Sequence, residues 1–127
     1  MPERCRVFLA GANPFALKVR RLLEISDLIR EYFPSCETIG CFARVTDVAS
    51  KTDEELAALR KAGFTGLTIG METGDDAALA FMNKGYAAQD IVAQCARLDA
   101  AGIAYAFFYL AGISGKGSGI EGARLTA

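Results

Sequence analysis

A chain of 127 residues, 52% hydrophobic and 23% charged, is globular, has room for one domain at most, and contains no apolar run near the ~20 residues that span a bilayer. Its net charge of -1 offers no basic surface for nucleic acid. Its complete lack of histidine excludes Ser-His-Asp and Cys-His nucleophile pairs and every imidazole-containing zinc site. Met1-Pro2-Glu3-Arg4 leads straight into the first apolar run without a signal-peptide core, so the expected location is the cytoplasm. The four cysteines, at positions 5, 36, 41 and 95, form no C-x-x-C pair and read as reduced thiols used as small hydrophobes, with no metal site among them.

In chain order, residues 6–10 read as a short buried strand, broken by Gly11-Ala12-Asn13-Pro14. Val19, Leu22, Leu23, Ile25, Ile29 and Phe33 recur at helical spacing, predicting a helix over 15–33 that Pro34 ends. Residues 37–43 read as a second strand. Thr52 and Glu55 match a capping box, opening a helix with Leu56 and Leu59 on its apolar stripe and Gly63 as its stop. Residues 65–71 give a third strand. Asp75 or Asp76 caps a short helix over 77–83, stopped by Gly85, and a further helix runs over 88–101 with Ile91, Cys95 and Leu98 on one face and Gly102 as its stop. Residues 103–111 are apolar almost throughout and predict a strand buried on both faces. Ser118 and Glu121 resemble a second capping box, so a last helix begins there.

Leu59-Arg60-Lys61-Ala62-Gly63-Phe64 and Leu98-Asp99-Ala100-Ala101-Gly102-Ile103 share one pattern, and strands start near 6, 38, 66 and 104. That is the rhythm of βα units, hence parallel strands joined by right-handed crossovers. A complete (β/α)8 barrel needs about 250 residues. The expected fold is therefore α/β: a fragment of a partial, TIM-like (β/α) barrel with about four parallel strands, the alternative being a small doubly wound sheet.

In either case chemistry gathers at the carboxyl ends of the strands. Those ends carry Gly11 to Asn13, then Arg44, then Glu72-Thr73-Gly74, then Gly112 to Gly115. A guanidinium, a carboxylate, an amide and two glycine turns suit a ligand with a charged end and hydroxyls. Gly117, Gly119 and Gly122 give a G-x-G-x-x-G match in a glycine-rich tail. Gly112 to Gly117 only imitates a P-loop, because Leu110 stands where its first glycine belongs.

With these residues set out, the chain resembles the radical S-adenosylmethionine superfamily, in its branch of Elongator-catalytic-subunit-like, methylthiotransferase-like and oxygen-independent coproporphyrinogen-oxidase-like enzymes. The similar stretches include Val7 to Gly11, Phe42-Ala43-Arg44, Lys51 to Leu56, Gly70-Met71-Glu72-Thr73-Gly74-Asp75, Asn83-Lys84-Gly85, Ala101-Gly102-Ile103 and Leu110 to Gly115. The resemblance implies a partial (β/α)6 barrel of which residues 1–127 are strands two to five. It implies S-adenosylmethionine and a [4Fe–4S] cluster as cofactors of the full-length enzyme, an iron–sulfur oxidoreductase or transferase fed by an electron donor. The family's C-x3-C-x2-C loop is absent here, so the fragment itself is expected to be inactive. Carried over by position, Gly11 and Asn13 lie where the cofactor's amino group is held, Arg44 faces its carboxylate, Glu72 with Thr73 and Gly74 contacts ribose or the amino-acid part, and Gly112 to Gly115 lie near adenine. Two other classes remain open: an unrelated α/β barrel enzyme using Glu72 as general acid or base, and a non-catalytic nucleotide-binding module. Both sheet edges are expected to be bare, so self-association is expected.

Overall fold

The computed structural model describes residues 4–127; Met1 to Glu3, the first part of the stretch read above for a signal peptide, lie outside the described residues. Four strands, β1 (Cys5–Leu9), β2 (Cys36–Ala43), β3 (Phe64–Glu72) and β4 (Ala104–Tyr109), form one sheet in the order β1-β2-β3-β4, every pair parallel. Among the described residues six helices accompany them: α1 (Val19–Tyr32), α2 (Val45–Ala49), α3 (Asp53–Lys61), α4 (Asp76–Phe81), α5 (Ala88–Ala101) and α6 (Gly119–Thr126). The sequential order is that of a barrel arc and eliminates the doubly wound alternative, whose strand order reverses. No helix among the described residues is long and apolar enough to cross a membrane.

The core lies between the sheet and the helices. Strand alternation sends Ile39, Cys41, Ala43, Leu67, Ile69 and Met71 to one face. There they meet Leu22 and Ile29 of α1, Leu56 and Leu59 of α3, and Ile91 and Leu98 of α5 in a single buried cluster. The other face holds Phe8, Gly40, Phe42, Gly66, Thr68, Gly70, Ala104, Ala106 and Phe108, and among the described residues no helix covers it.

Local chemistry explains the boundaries. Thr52 Oγ1 accepts from the Glu55 amide at 3.1 Å, and the Glu55 carboxylate accepts from the Thr52 amide at 2.9 Å, which is the expected capping box. Gly63 and Gly102, with φ of 107° and 75°, end α3 and α5 in the left-handed region that glycine enters without penalty. Asp75, not Asp76, caps α4 by accepting from the amides of Ala77 and Ala78. Two buried or half-buried cations then lock the helical layer. Lys51 Nζ donates to the Phe15 carbonyl and lies 4.2 Å above the Phe15 ring. Arg97 of α5 donates to the carbonyls of Val48 and Lys51 and pairs with Asp53 at 2.7 Å.

Several expectations need correction. The helix expected from residue 15 starts at Val19, because Pro14–Ala16 form one separate 3-10 turn and Leu17 and Lys18 are extended. The helix expected over 77–83 ends at Phe81, and Asn83 takes a positive φ of 52°. The first strand is shifted to Cys5–Leu9, with Phe8 exposed. The fourth is shorter than expected and is not buried on both faces: Ala104, Ala106 and Phe108 stand on the helix-free side. Ser118 precedes α6 but accepts no side-chain capping bond, so the second capping box does not form. Helix α2 has no counterpart among the expected elements.

Helix α6 is fastened through a close approach. A Cβ on Gly74 would come within 2.5 Å of the Leu125 carbonyl oxygen and 2.9 Å of Thr126 Cα, both backbone atoms that cannot step aside cheaply. Gly74→Ala is expected to push α6 off the strand ends at a cost of about 1–3 kcal/mol. Amide exchange over residues 119–126 should then rise with little change in β2 and β3; unchanged protection of α6 would refute the close packing.

Candidate functional site

At the carboxyl ends of β1, β2 and β3 lies a cavity of about 490 Å³, lined by Asn13, Phe42, Arg44, Thr68, Gly70, Glu72, Asn83, Lys84, Tyr86 and Phe108 among others. Three residues expected at the site from sequence, Asn13, Arg44 and Glu72, meet here. Arg44 and Glu72 follow adjacent strands, so the parallel register delivers them to one rim. Arg44 is fixed by its backbone: its amide donates to the Asp47 carboxylate at 2.8 Å, which starts α2 and leaves the guanidinium free to project. Among the described residues no carboxylate forms a salt bridge with it.

Glu72 ends β3 with φ of 71°, and the β3–β4 register breaks between Gly70 and Glu72. The turn swings its carboxylate back over Gly70, where an added Cβ would stand 3.1 Å from Oε1. Lys84 Nζ lies 3.7 Å from Glu72 Oε1, with the two side chains 34% and 20% exposed, so solvent screens this pair less than a surface pair. The Tyr86 hydroxyl is 3.2 and 3.1 Å from the carbonyl oxygens of Gly70 and Met71 and donates to that pair, pinning the strand end just before Glu72. Burial pushes the Tyr86 phenol above its ordinary pKa; the Glu72 charge adds to this and the Arg44 charge opposes it. Asn13 Oδ1 is closed off from solvent and finds no hydrogen-bond partner among the described residues. A buried acceptor left unpaired at a cavity wall is a place where a ligand donor gains most.

The other expected residues lie elsewhere. Gly11 sits in the bend before Ala12, outside the lining. Thr73 is fully buried, its hydroxyl 3.2 Å from that of Thr126, and the Gly74 amide donates to the same Thr126 hydroxyl at 2.8 Å. Gly112 and Gly115 have φ of 79° and 87° in the turn after β4, with nothing near either Cα that a Cβ would strike, and neither reaches the cavity. Nearby, the Ser114 hydroxyl and the amides of Ala78 and Ala77 hold the Asp75 carboxyl below its usual range. Gly122, last glycine of the G-x-G-x-x-G match, is packed so closely on Ser114 that a Cβ there would strike its hydroxyl; this glycine serves helix docking.

Lys84 and Tyr86 were not among the expected site residues. Their signal was positional: Asn83 to Ala87 link α4 to α5 on the same rim as the strand ends, and Gly85 with φ of 78° turns the chain back toward the cavity.

Among the described residues no three His, Cys, Asp or Glu side chains converge as a metal site. The cysteine thiols are free, Cys41 is buried in β2 and Cys95 half-buried on α5.

No family model matches the chain, and no curated protein shows significant sequence similarity to it. Solved structures do match in fold. Elp3 from the archaeon Methanocaldococcus infernus, N-terminally truncated, superposes with a TM-score of 0.69 at 14% identity, covering 97% of this chain and 33% of that one. Methylornithine synthase (PylB) superposes with a TM-score of 0.68 at 19% identity, covering 95% of this chain and 34% of that one. This chain spans about a third of the length of each. With four parallel strands in sequential order and helices on one face, the described residues have the fold of an arc of a partial, TIM-like (β/α) barrel, shared with these two structures.

Proposed function

We propose that residues 1–127 are strands two to five of a cytoplasmic radical S-adenosylmethionine enzyme and supply part of its cofactor cradle. The observation that carries this is the meeting of Asn13, Arg44 and Glu72 around one cavity at the carboxyl rim of a barrel arc with that fold. The residues fit a ligand bearing a carboxylate, an ammonium and hydroxyls. In this reading Arg44 donates to the carboxylate, the orphaned Asn13 Oδ1 accepts from the ammonium, and Glu72 accepts from a ribose hydroxyl or the ammonium. Gly11 shapes the bend beside Asn13, Thr73 and Gly74 hold the turn that presents Glu72, and Gly112 and Gly115 shape the turn toward adenine. When bound together with a reduced [4Fe–4S] cluster, S-adenosylmethionine supplies radical chemistry in this superfamily. The residues present do not fit the cluster itself, which needs three or four converging thiolates. No radical step is therefore assigned to these residues, and the chain alone is read as inactive. Electron donor, substrate and reaction belong to the full-length enzyme.

Calorimetric titration of S-adenosylmethionine into wild type and Glu72→Gln tests the cradle. A hydrogen bond to a charged group contributes about 1.5–3 kcal/mol, so the variant is expected to bind roughly 10- to 150-fold more weakly. Equal affinities would remove Glu72 from the site, and absence of binding to wild type would refute the cradle.

A further inference from the structure

β1 and β2 bring two thiols level with each other. Cys5 and Cys36 are register partners in this parallel pair. Neighbouring strands lie about 4.8 Å apart, within the range of about 4.4–6.8 Å that a disulfide spans between Cα atoms. The match depends on a register break. From Arg6 to Leu9 the partners run from Thr38 to Cys41, and the same register would set Cys5 beside Glu37. The break between Cys5 and Arg6 makes Glu37 an extra residue in β2 and sets Cys5 beside Cys36 instead. Glu37 turns to solvent, where its carboxylate pairs with the exposed Arg4 at 3.7 Å.

Both thiols stand on the helix-covered face. Strand alternation gives Cys5 the face of Val7 and Leu9, which pack on the core, and Cys36 packs on the same core. The backbone holds them there. The Cys5 amide donates to the Ser35 carbonyl at 3.3 Å, and the Cys36 amide donates to the Phe33 carbonyl at 2.9 Å. Both thiols are free and half-buried. The Cys5 thiol sits above its ordinary pKa, through burial first, then through the charge of the Cys36 sulfur and a hydrogen bond to it. Cys36 also donates to the Thr38 carbonyl at 3.4 Å, a weak bond that is easily given up. The other two cysteines are out of reach: Cys41 is level with Leu9 at the far end of β1, and Cys95 is on α5.

We propose that Cys5 and Cys36 are a redox modification site, closing as a reversible disulfide with a low-molecular-weight disulfide of the glutathione type as oxidant. One protein thiolate attacks a sulfur of the small disulfide, forms a mixed disulfide and expels a small thiolate. The second protein thiolate attacks the protein-side sulfur of that mixed disulfide, forms the Cys5–Cys36 bond and expels the other small thiolate. The protein pair gives up two electrons and two protons, and the small disulfide takes them up as two thiols. Strand spacing makes the bond labile. The Cβ atoms of same-face neighbours stand about 4.8 Å apart, and a disulfide draws them to about 3.8 Å, so closure pulls the two strand starts together by about 1 Å. That strain makes the bond easier to reduce, which suits a site that opens and closes with its surroundings. Because β1 and β2 neighbour each other within the sheet, the pair does not depend on what lies beyond β1 or β4, or on the ligand of the cavity.

The test treats the folded chain at micromolar concentration with oxidised glutathione, blocks the remaining thiols and maps the peptides by mass spectrometry. The link between positions 5 and 36 is expected to exceed that between 36 and 41 by about tenfold or more, although the second closes a far shorter loop. In urea the ratio should fall, because closure there follows loop length alone. Excess reduced glutathione should restore both thiols. In Cys36→Ser, Cys5 should keep its glutathione adduct, having no partner to resolve it. A folded wild type that retains all its thiols, carries only glutathione adducts, or links other pairs would overturn the proposal. So would an unchanged ratio in urea, a link that reduced glutathione leaves intact, or a Cys36→Ser variant whose Cys5 takes up no glutathione.

Discussion

Cys41 is expected to react with iodoacetamide at pH 8 about a thousandfold more slowly than an unhindered thiol. Burial pushes its pKa from 9.0 up to about 12, against the pull of the Lys51 charge and with a push from Asp47, so the thiolate fraction falls by about three decades. The same shift is a stability statement. The folded value lies above the unfolded one, so the protection the fold gives the neutral thiol is fully present below pH 9 and is lost as pH climbs toward 12. Its scale is about 4 kcal/mol. Lys51 works in the opposite sense. Burial lowers its pKa below 10.5, the unfolded chain binds more protons just below that pH, and stability rises with pH across that window. Comparing wild type with Cys41→Ala separates the two, because only the thiol contribution disappears: the advantage of wild type should shrink between pH 9 and 11. Mass spectrometry of native and urea-unfolded protein counts the labelled sites. If Cys41 is labelled as fast in the native protein as in urea, its burial in β2 is wrong.

Phe64→Ala should cost about 3–5 kcal/mol, a large share of the 5–15 kcal/mol that holds a domain together. Phe64 opens β3, is fully buried, and packs in the same cluster as Leu59 and Ile39. Its removal leaves a cavity that stiff strand neighbours cannot fill. Phe81, 92% exposed at the end of α4, is the control, and Phe81→Ala should lie within about 0.5 kcal/mol of wild type. Urea midpoints at constant m-value give both numbers. Equal losses at the two positions would contradict a core confined to the helix-covered face.

The elements legible in the sequence were those with local chemistry of their own. Thr52 with Glu55, Asp75 before α4, and Gly63 and Gly102 at helix ends satisfy backbone groups within a few residues, so their neighbours in sequence already specify them. Parallel pairing followed from the spacing of βα units, whereas the sequential order did not, because a doubly wound sheet has the same spacing. Less legible were features settled across the fold. Helix α2 is five residues long, too short for periodicity to reveal, and rests on one Asp47–Arg44 capping bond. In β4 an apolar run looks the same whether one face or both are covered; Tyr105 and Phe107 pack on the core while Phe108 faces away. At the rim, the residue types of Arg44, Glu72 and Asn13 and their places at strand ends were readable. The strap carrying Lys84 and Tyr86 was not, because it reaches the cavity through a turn whose direction depends on Asn83 and Gly85 together.

Glu72 sits in a backbone conformation that costs an L-residue about 1–2 kcal/mol and costs glycine almost nothing. Heat resistance and ligand capture therefore pull this one position in opposite directions. Glycine there would relax the end of β3 and release the bend over Gly70, and would also take away the acid that faces Arg44 across the rim. A lineage selected only for endurance would drift toward the relaxed backbone and lose its negative charge at the cavity wall, whereas one that keeps the carboxylate must carry the strained turn and draw its stability from the layer of helices behind the sheet.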